Sequence, residues 1–466
     1  MSSFAPTANR VTLRRSGTVR LVSLAVTMLT TIFSSHLLIS TLGLAGFGVI
    51  AVIATVGSFI AFLDRGVAGG LMVQIPLISQ TERSRTIPML LDAANRRVRI
   101  GVGFGACLVV VAIATQAPLR LLDLPPDVSA NELLLAFSLG VGIFLVALPL
   151  GLHVRSLDAL GRADLASLFT ATGAVISIAY LFGAASMPHR FIFMAAQPAI
   201  ATLVGNFLCW REVRRRFPQR LASTRDAAVS LAKTSKDMLG VQLSSAVAFN
   251  TDLLLVAMFV NASAAGTFSL YSRVYGGLFA VVHAVLWPLW SLLGVATAED
   301  NADERTRLVR VTVRRFVPLA LGFLGLGALC APTMVRAISS AAVQNINNLN
   351  VLFATWIGCS ILHTTLSLII GASGKSAALA RLHIRMAVVN LSVSLILVAV
   401  IGVTGVLLGS IIATLIFAIY PEAKLVFALV SNNSNTDFTK IDTKSDSSLP
   451  KRSIGMDVIR LRTGKL

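Results

Sequence analysis

NTDLLLVAMFVNASAAGTFSLYSR, residues 250–273, places one carboxylate and one guanidinium, Asp252 and Arg273, in two apolar runs joined by a short turn near Ala262. Asp252 stands ten positions before that turn and Arg273 eleven after it. At a rise of 1.5 Å per residue, both fall about 15 Å below the same membrane face, near the midplane. Charges at that depth are costly unless they are paired or face an aqueous cavity. Equal depth on adjacent antiparallel helices puts the two within reach of each other if both face inward. The plainer reading of the same residues is a buried ion pair that fixes helix register. No other acidic or basic residue falls inside the roughly twelve apolar spans read along the chain.

Composition agrees with a polytopic membrane protein. Hydrophobic residues make up 55% of 466 and charged residues 13%, about half the charged share of a soluble domain; the mean hydropathy is +0.79. Cys107, Cys209, Cys330 and Cys359 are far apart, lack CxxC spacing and lie in or beside apolar runs, so they read as small buried hydrophobes. A net charge of +19 raises the question of nucleic acid, but the basic residues are distributed by topology, and no nucleic-acid partner is expected. Arg10 to Arg20 is a basic start. The run Leu21–Thr41 is long enough to span and has no convincing cleavage site, so it reads as a first span and not as a signal peptide.

The spans read as 21–41, 46–63, 100–117, 133–154, 165–187, 191–210, 238–260, 264–291, 317–334, 349–371, 386–402 and 404–421, with Pro288 expected to kink the long eighth. Of the 40 Lys and Arg residues, 36 fall in the termini and the even-numbered loops; Arg120, Arg190 and Arg336 fall opposite, and Arg273 is intramembrane. The positive-inside rule then puts both termini in the cytoplasm, in the cell (inner) membrane. The organisation expected is a basic cytoplasmic arm (1–20), a six-helix bundle (21–210), a cytoplasmic linker (211–237), a second six-helix bundle (238–430) and a Ser/Asn/Asp/Lys-rich tail (431–466) too poor in apolar residues to fold.

The two halves echo each other. Gly43-Leu44-Ala45-Gly46-Phe47-Gly48-Val49 opens the second span, and Ser263-Ala264-Ala265-Gly266-Thr267-Phe268-Ser269 opens the eighth. Ala159-Leu160-Gly161-Arg162 follows the fourth span, and Ala372-Ser373-Gly374-Lys375 follows the tenth. Six spans per half preserve orientation, so the repeat is parallel, about an axis along the membrane normal.

With Leu42 to Gly48, Phe62-Leu63-Asp64-Arg65-Gly66-Val67, Asn250-Thr251-Asp252 and Ala265 to Arg273, the chain resembles the polysaccharide flippases of the multidrug/oligosaccharidyl-lipid/polysaccharide exporter superfamily, over about residues 15 to 430. The motifs carrying the likeness are a G-x-x-x-F/Y-G turn, a D-x-G end to span two, and an aspartate before a G-x-Y-S segment. Here Phe268 stands where tyrosine is commoner. The resemblance implies an all-α fold of two bundles in a V around a central cavity, working by alternating access. The implied cargo is a polyprenyl-diphosphate-linked oligosaccharide moved from the inner to the outer leaflet for cell-surface polysaccharide synthesis. Its implied partners are a polysaccharide polymerase with chain-length machinery and a coupling ion, proton or sodium.

Arg273 suits an anionic head group, because guanidinium stays charged and binds phosphate bidentately. Asp252 can hold Arg273 between cycles or accept a coupling proton. Asn250 and His36, the latter after Ser34-Ser35 on the first span, are the further cavity candidates. Asp64-Arg65 reads either as a cytoplasmic gate or as a solvated helix end, and without a Gly-Arg-Arg/Lys continuation it does not match the major-facilitator loop. His153, His283 and His363 read first as helix-packing hydrogen bonders; Asn206 and Asn390 contact sugar or satisfy neighbouring helices. No Walker loop, metal-ligand cluster, catalytic triad or cofactor motif is read.

Two other functions compete. A cation-drug antiporter of the same superfamily would prefer unpaired acids to a lone deep arginine. A polymerase or lipid-sugar glycosyltransferase needs an external catalytic domain. The longest outer segments, 118–132 and 335–348, are too short for one, so no enzyme activity is expected.

Overall fold

The computed structural model describes residues 10–430 apart from positions 65, 80, 220, 299, 300, 344, 345 and 374. The expected tail, 431–466, and residues 1–9 lie outside the described residues, as do the side chains of Pro288 and Trp290. The described chain is a succession of helices: α1 (Arg10–Ile60), α2 (Val67–Gln74), α3 (Arg83–Ala114), α4 (Ala117–Leu121), α5 (Ala130–Ala159), α6 (Ala163–Ala185), α7 (Arg190–Ala195), α8 (Gln197–Arg216), α9 (Arg225–Phe259), α10 (Ala262–Ala298), α11 (Ala302–Val311), α12 (Val317–Ile338), α13 (Ile346–Ala372), α14 (Ser376–Ile401), α15 (Val403–Ala413) and α16 (Tyr420–Val430). Nine helical stretches among the described residues are long and apolar enough to cross a membrane. The first contains two spans. The helices α8 and α9, whose charged basic-face ends dilute the apolar part, bring the total to the expected twelve.

The first two spans meet at Gly43, which sits at φ 71°, ψ 176° inside α1. Ser35 and Phe47, on either side of it, would be about 18 Å apart along a straight helix, yet one guanidinium, that of Arg273, touches both. The chain therefore reverses at Gly43, in a conformation a side chain would resist. Gly402 (φ 63°) does the same near the end of the chain. A Cβ at Gly405 would meet Leu397 and one at Gly409 would meet Ser394, so α15 runs back along α14.

Helices extend beyond the apolar spans on the face that carries most Arg and Lys, here the basic face. The third begins at Arg83, and the seventh at Arg225, capped by the Thr224 hydroxyl. Hydropathy finds only the part of a helix in lipid, whereas backbone hydrogen bonding carries it on into water. Consequently, among its described residues, the expected linker 211–237 leaves helix only over 217–219 and 221–224.

In the first bundle α5 packs on α3 and α8, and α6 on α8 and α1. In the second α9 packs on α14, and α13 on α10, α12 and α16. The result is an all-α membrane-protein fold of two six-helix bundles about a central V. The bundles touch at both ends of that V. On the face opposite the basic one, a Cβ at Gly48 would strike the Ala262 backbone, and one at Gly266 would strike Leu44. On the basic face, Gly66 and Gly70 lie against Ser235, and Gln74 Nε2 donates to Ser230 and Thr234, each at 3.0 Å. Small residues at both closures let backbones approach closely enough to seal them.

Candidate functional site: a deep arginine between the bundles

Arg273 lies on α10 where it crosses both limbs of α1. Its Nη1 donates to Ser35 Oγ at 2.7 Å, and its guanidinium carbon sits 4.7 Å from the centre of the Phe47 ring. The residue is half-buried despite its depth in the helix. Among the described residues no carboxylate pairs with it. The hydroxyl and the ring face hold the cation in place without neutralising it, which leaves its charge free for an anion.

The expected pairing with Asp252 does not occur. Asp252 is 1% exposed and accepts a 2.6 Å hydrogen bond from Ser410 Oγ on α15. Its Oδ1 is buried without a hydrogen-bond partner. Equal sequence distance from the turn sets depth along a helix and leaves the direction around the axis open. Asp252 faces α14 and α15, inside the second bundle, whereas Arg273 faces α1.

Asp252 belongs instead to an oxygen-rich cluster. Asn390 Oδ1 lies 3.0 Å from both Ser394 Oγ and Ser410 Oγ, and Ser394 Oγ lies 3.2 Å from the Val406 carbonyl. Each hydroxyl has one proton, so Ser410 donates either to Asp252 or to Asn390 and never to both. The unpartnered Asp252 Oδ1 in this buried cluster is suited to a proton or a small hard cation.

The remaining candidates are dispersed. Asn250 is half-buried, two positions before Asp252. His36 is exposed, and its Nδ1 donates to the Ile338 carbonyl at the end of α12 at 2.9 Å, a tie between bundles. Asp64 is buried, its two oxygens accepting from the Gly66 and Ala68 amides at 2.8 and 3.0 Å, so it caps the turn into α2. Burial pushes its carboxyl above the usual range, opposed by those two amides and by Arg155. Arg65 lies outside the described residues. His153 Nδ1 bonds the Leu150 carbonyl on its own helix, and Asn206 donates to the Ala147 carbonyl.

One buried charge escaped the sequence reading. Glu422 follows the position where the twelfth span was expected to end, but the helix runs on to Val430 and Glu422 is fully buried. His363 Nδ1 and Ser367 Oγ approach its carboxylate at 3.0 and 2.8 Å, and His383 Nε2 lies 3.6 Å away. The signal was present in Leu425-Val426-Phe427-Ala428-Leu429-Val430, an apolar run beyond the two charges Glu422 and Lys424 that a window average excluded.

No protein-family model and no curated protein sequence matches the chain. Solved structures do. An inward-facing multidrug resistance MATE family transporter of the MOP superfamily superposes with a TM-score of 0.66 at 14% identity, covering 90% of this chain and all of the other. The lipid II flippase MurJ in an inward closed conformation gives 0.61 at 13%, over 88% of this chain and 87% of its own. A MOP superfamily transporter from Pyrococcus furiosus gives 0.59 at 13%, over 89% and 95%. The chain has the fold of the MOP superfamily transporters. At such identities the likeness is one of fold, and the cargo must be argued from the side chains.

Proposed function

We propose that the protein is a flippase that carries a polyprenyl-diphosphate-linked oligosaccharide from the cytoplasmic to the outer leaflet by alternating access. The observation that carries this reading is Arg273, a deep guanidinium between the bundles, held by a hydroxyl and a ring face with no carboxylate opposite among the described residues. A diphosphate supplies the missing charge and matches the guanidinium fork. The basic face is read as cytoplasmic, so the small-residue closures at Gly66/Gly70 and at Gly48/Gly266 act as inner and outer gates. The Asp252–Asn390–Ser394–Ser410 cluster, behind the cargo site, is read as the seat of the coupling ion, proton or sodium. The polymerase and chain-length machinery enter as downstream partners.

Asp252 also gives a specific ground for the second reading, a cation antiporter of the multidrug type, since a buried acid with an unpartnered oxygen is what a cationic cargo needs. Purified protein in vesicles separates the two. Transbilayer movement of a lipid-linked oligosaccharide, lost in Arg273→Ala, supports the flippase. Export of an organic cation that survives Arg273→Ala and fails in Asp252→Asn supports the antiporter.

A further inference from the structure

We infer that His363, His383 and Glu422 form a binding site for a divalent transition-metal ion of the Zn2+ class, tying α13, α14 and α16 together. Each residue sits on a different helix, and all three are buried, at 3%, 7% and 0% exposure. Together they offer two imidazole nitrogens and a carboxylate, with all three ligand atoms within 4.8 Å of one another. A tetrahedral ion with bonds of about 2.0 Å needs its ligand atoms about 3.3 Å apart. His363 Nδ1 to Glu422 Oε2 is 3.0 Å, and His383 Nε2 to Glu422 Oε1 is 3.6 Å. Each histidine nitrogen therefore lies near the required spacing from one of the two carboxylate oxygens, His363 from Oε2 and His383 from Oε1.

The donor chemistry selects the class. Two nitrogens and one oxygen suit zinc and its neighbours, whereas calcium and magnesium call for oxygen alone. Ser367 Oγ lies 2.8 Å from Glu422 Oε1 and 3.2 Å from His383 Nε2. With the Nε2 lone pair given to an ion, Ser367 keeps its hydrogen bond to Glu422 alone, and three protein ligands leave one coordination position open. The rings of His363 and His383 are tilted by 53° with centroids 4.9 Å apart, so the imidazoles are not stacked. His383 Nδ1 is buried without a hydrogen-bond partner, so protein hydrogen bonds alone do not complete this ring.

The turn from Thr414 to Ile419 is π-helical, a geometry that is rare and frequent at functional positions. It separates the Asp252 cluster at Ser410 from Glu422 on the same continuous span. The two polar centres are thus distinct, one formed with α9 and the other with α13.

The test uses full-length protein without a histidine tag, stripped with chelator in detergent and titrated with Zn2+ against a chromogenic competitor. One ion per chain is expected, with affinity reduced at least tenfold in His363→Gln and in His383→Gln, and unchanged in His189→Gln, which alters an exposed histidine paired with Glu132. Absence of stoichiometric binding, or a site indifferent to both buried substitutions, overturns the inference. Should those variants fail to fold, zinc-edge absorption of the native protein decides. Nitrogen and oxygen scatterers including imidazole support the site, and sulfur from Cys359 or Cys330 overturns it.

Discussion

Replacing Arg273 tests the cargo site most directly. Arg273→Ala removes the bond to Ser35 and the contact with Phe47, and with them any fork on a diphosphate. A hydrogen bond to a charged group contributes about 1.5 kcal/mol at the low end of its range, so two parallel bonds to a diphosphate are worth about 3 kcal/mol. That corresponds to roughly a hundredfold in apparent affinity for cargo. Arg273→Lys keeps the charge and one bond, and should lose only about tenfold by the same arithmetic. Because Asp252 and Arg273 share no partner, Asp252→Asn combined with Arg273→Gln should give the sum of the single effects within about 0.5 kcal/mol. The assay is the initial rate of transbilayer movement against cargo concentration, with equal amounts of correctly inserted variants. Wild-type transport by Arg273→Ala refutes the cargo role. Wild-type transport by the doubly neutral protein would show that the two charges act only on each other, against the separate contacts that each makes.

Three further outcomes follow from single contacts. Gly48→Leu drives a side chain into the Ala262 backbone and should hold the closure opposite the basic face apart, costing roughly 1–3 kcal/mol in the closed state; cysteine labelling near residue 44 should rise while transport falls. Ser410→Ala strips Asp252 of its one hydrogen-bond donor. The buried carboxylate then costs about 1–3 kcal/mol, and thermal stability in detergent should fall, with ion dependence of transport altered if the coupling ion sits there and unchanged if it does not. Gly402→Ala forces a side chain into φ 63°, ψ −138°, a conformation costing about 1–3 kcal/mol for any residue but glycine, and should lower the melting temperature.

The turn glycines show how far local chemistry carries. Gly43 falls in the short gap between spans 1 and 2 and Gly402 is the last residue of span 11, so the two reversals were legible from where the apolar runs stop. On the face opposite the basic one the helix ends lie near the ends of the apolar runs, α5 starting at Ala130 where the span was expected from 133. The basic-face ends were not, because amphipathic extensions such as Arg83–Arg99 leave no mark in an average of hydropathy. Glu422 was lost in the same way. His363 was noticed one residue at a time, while its partners lie 20 and 59 positions away on other helices.

Sequence alone determined that this chain spans a membrane about twelve times in two equivalent halves. Each span must satisfy its own backbone hydrogen bonds in lipid and must be apolar enough to enter it, and both demands are local. It also determined that Asp252 and Arg273 are deep, because depth is counted along the helix from the turn. The tertiary structure decided what they touch. Rotation about each helix axis is set by packing against helices distant in sequence, which turns Arg273 to Ser35 and Phe47, Asp252 to Ser410, and Glu422 to two histidines. Those partners depend on the sum of many weak contacts across the bundles, which no local pattern encodes.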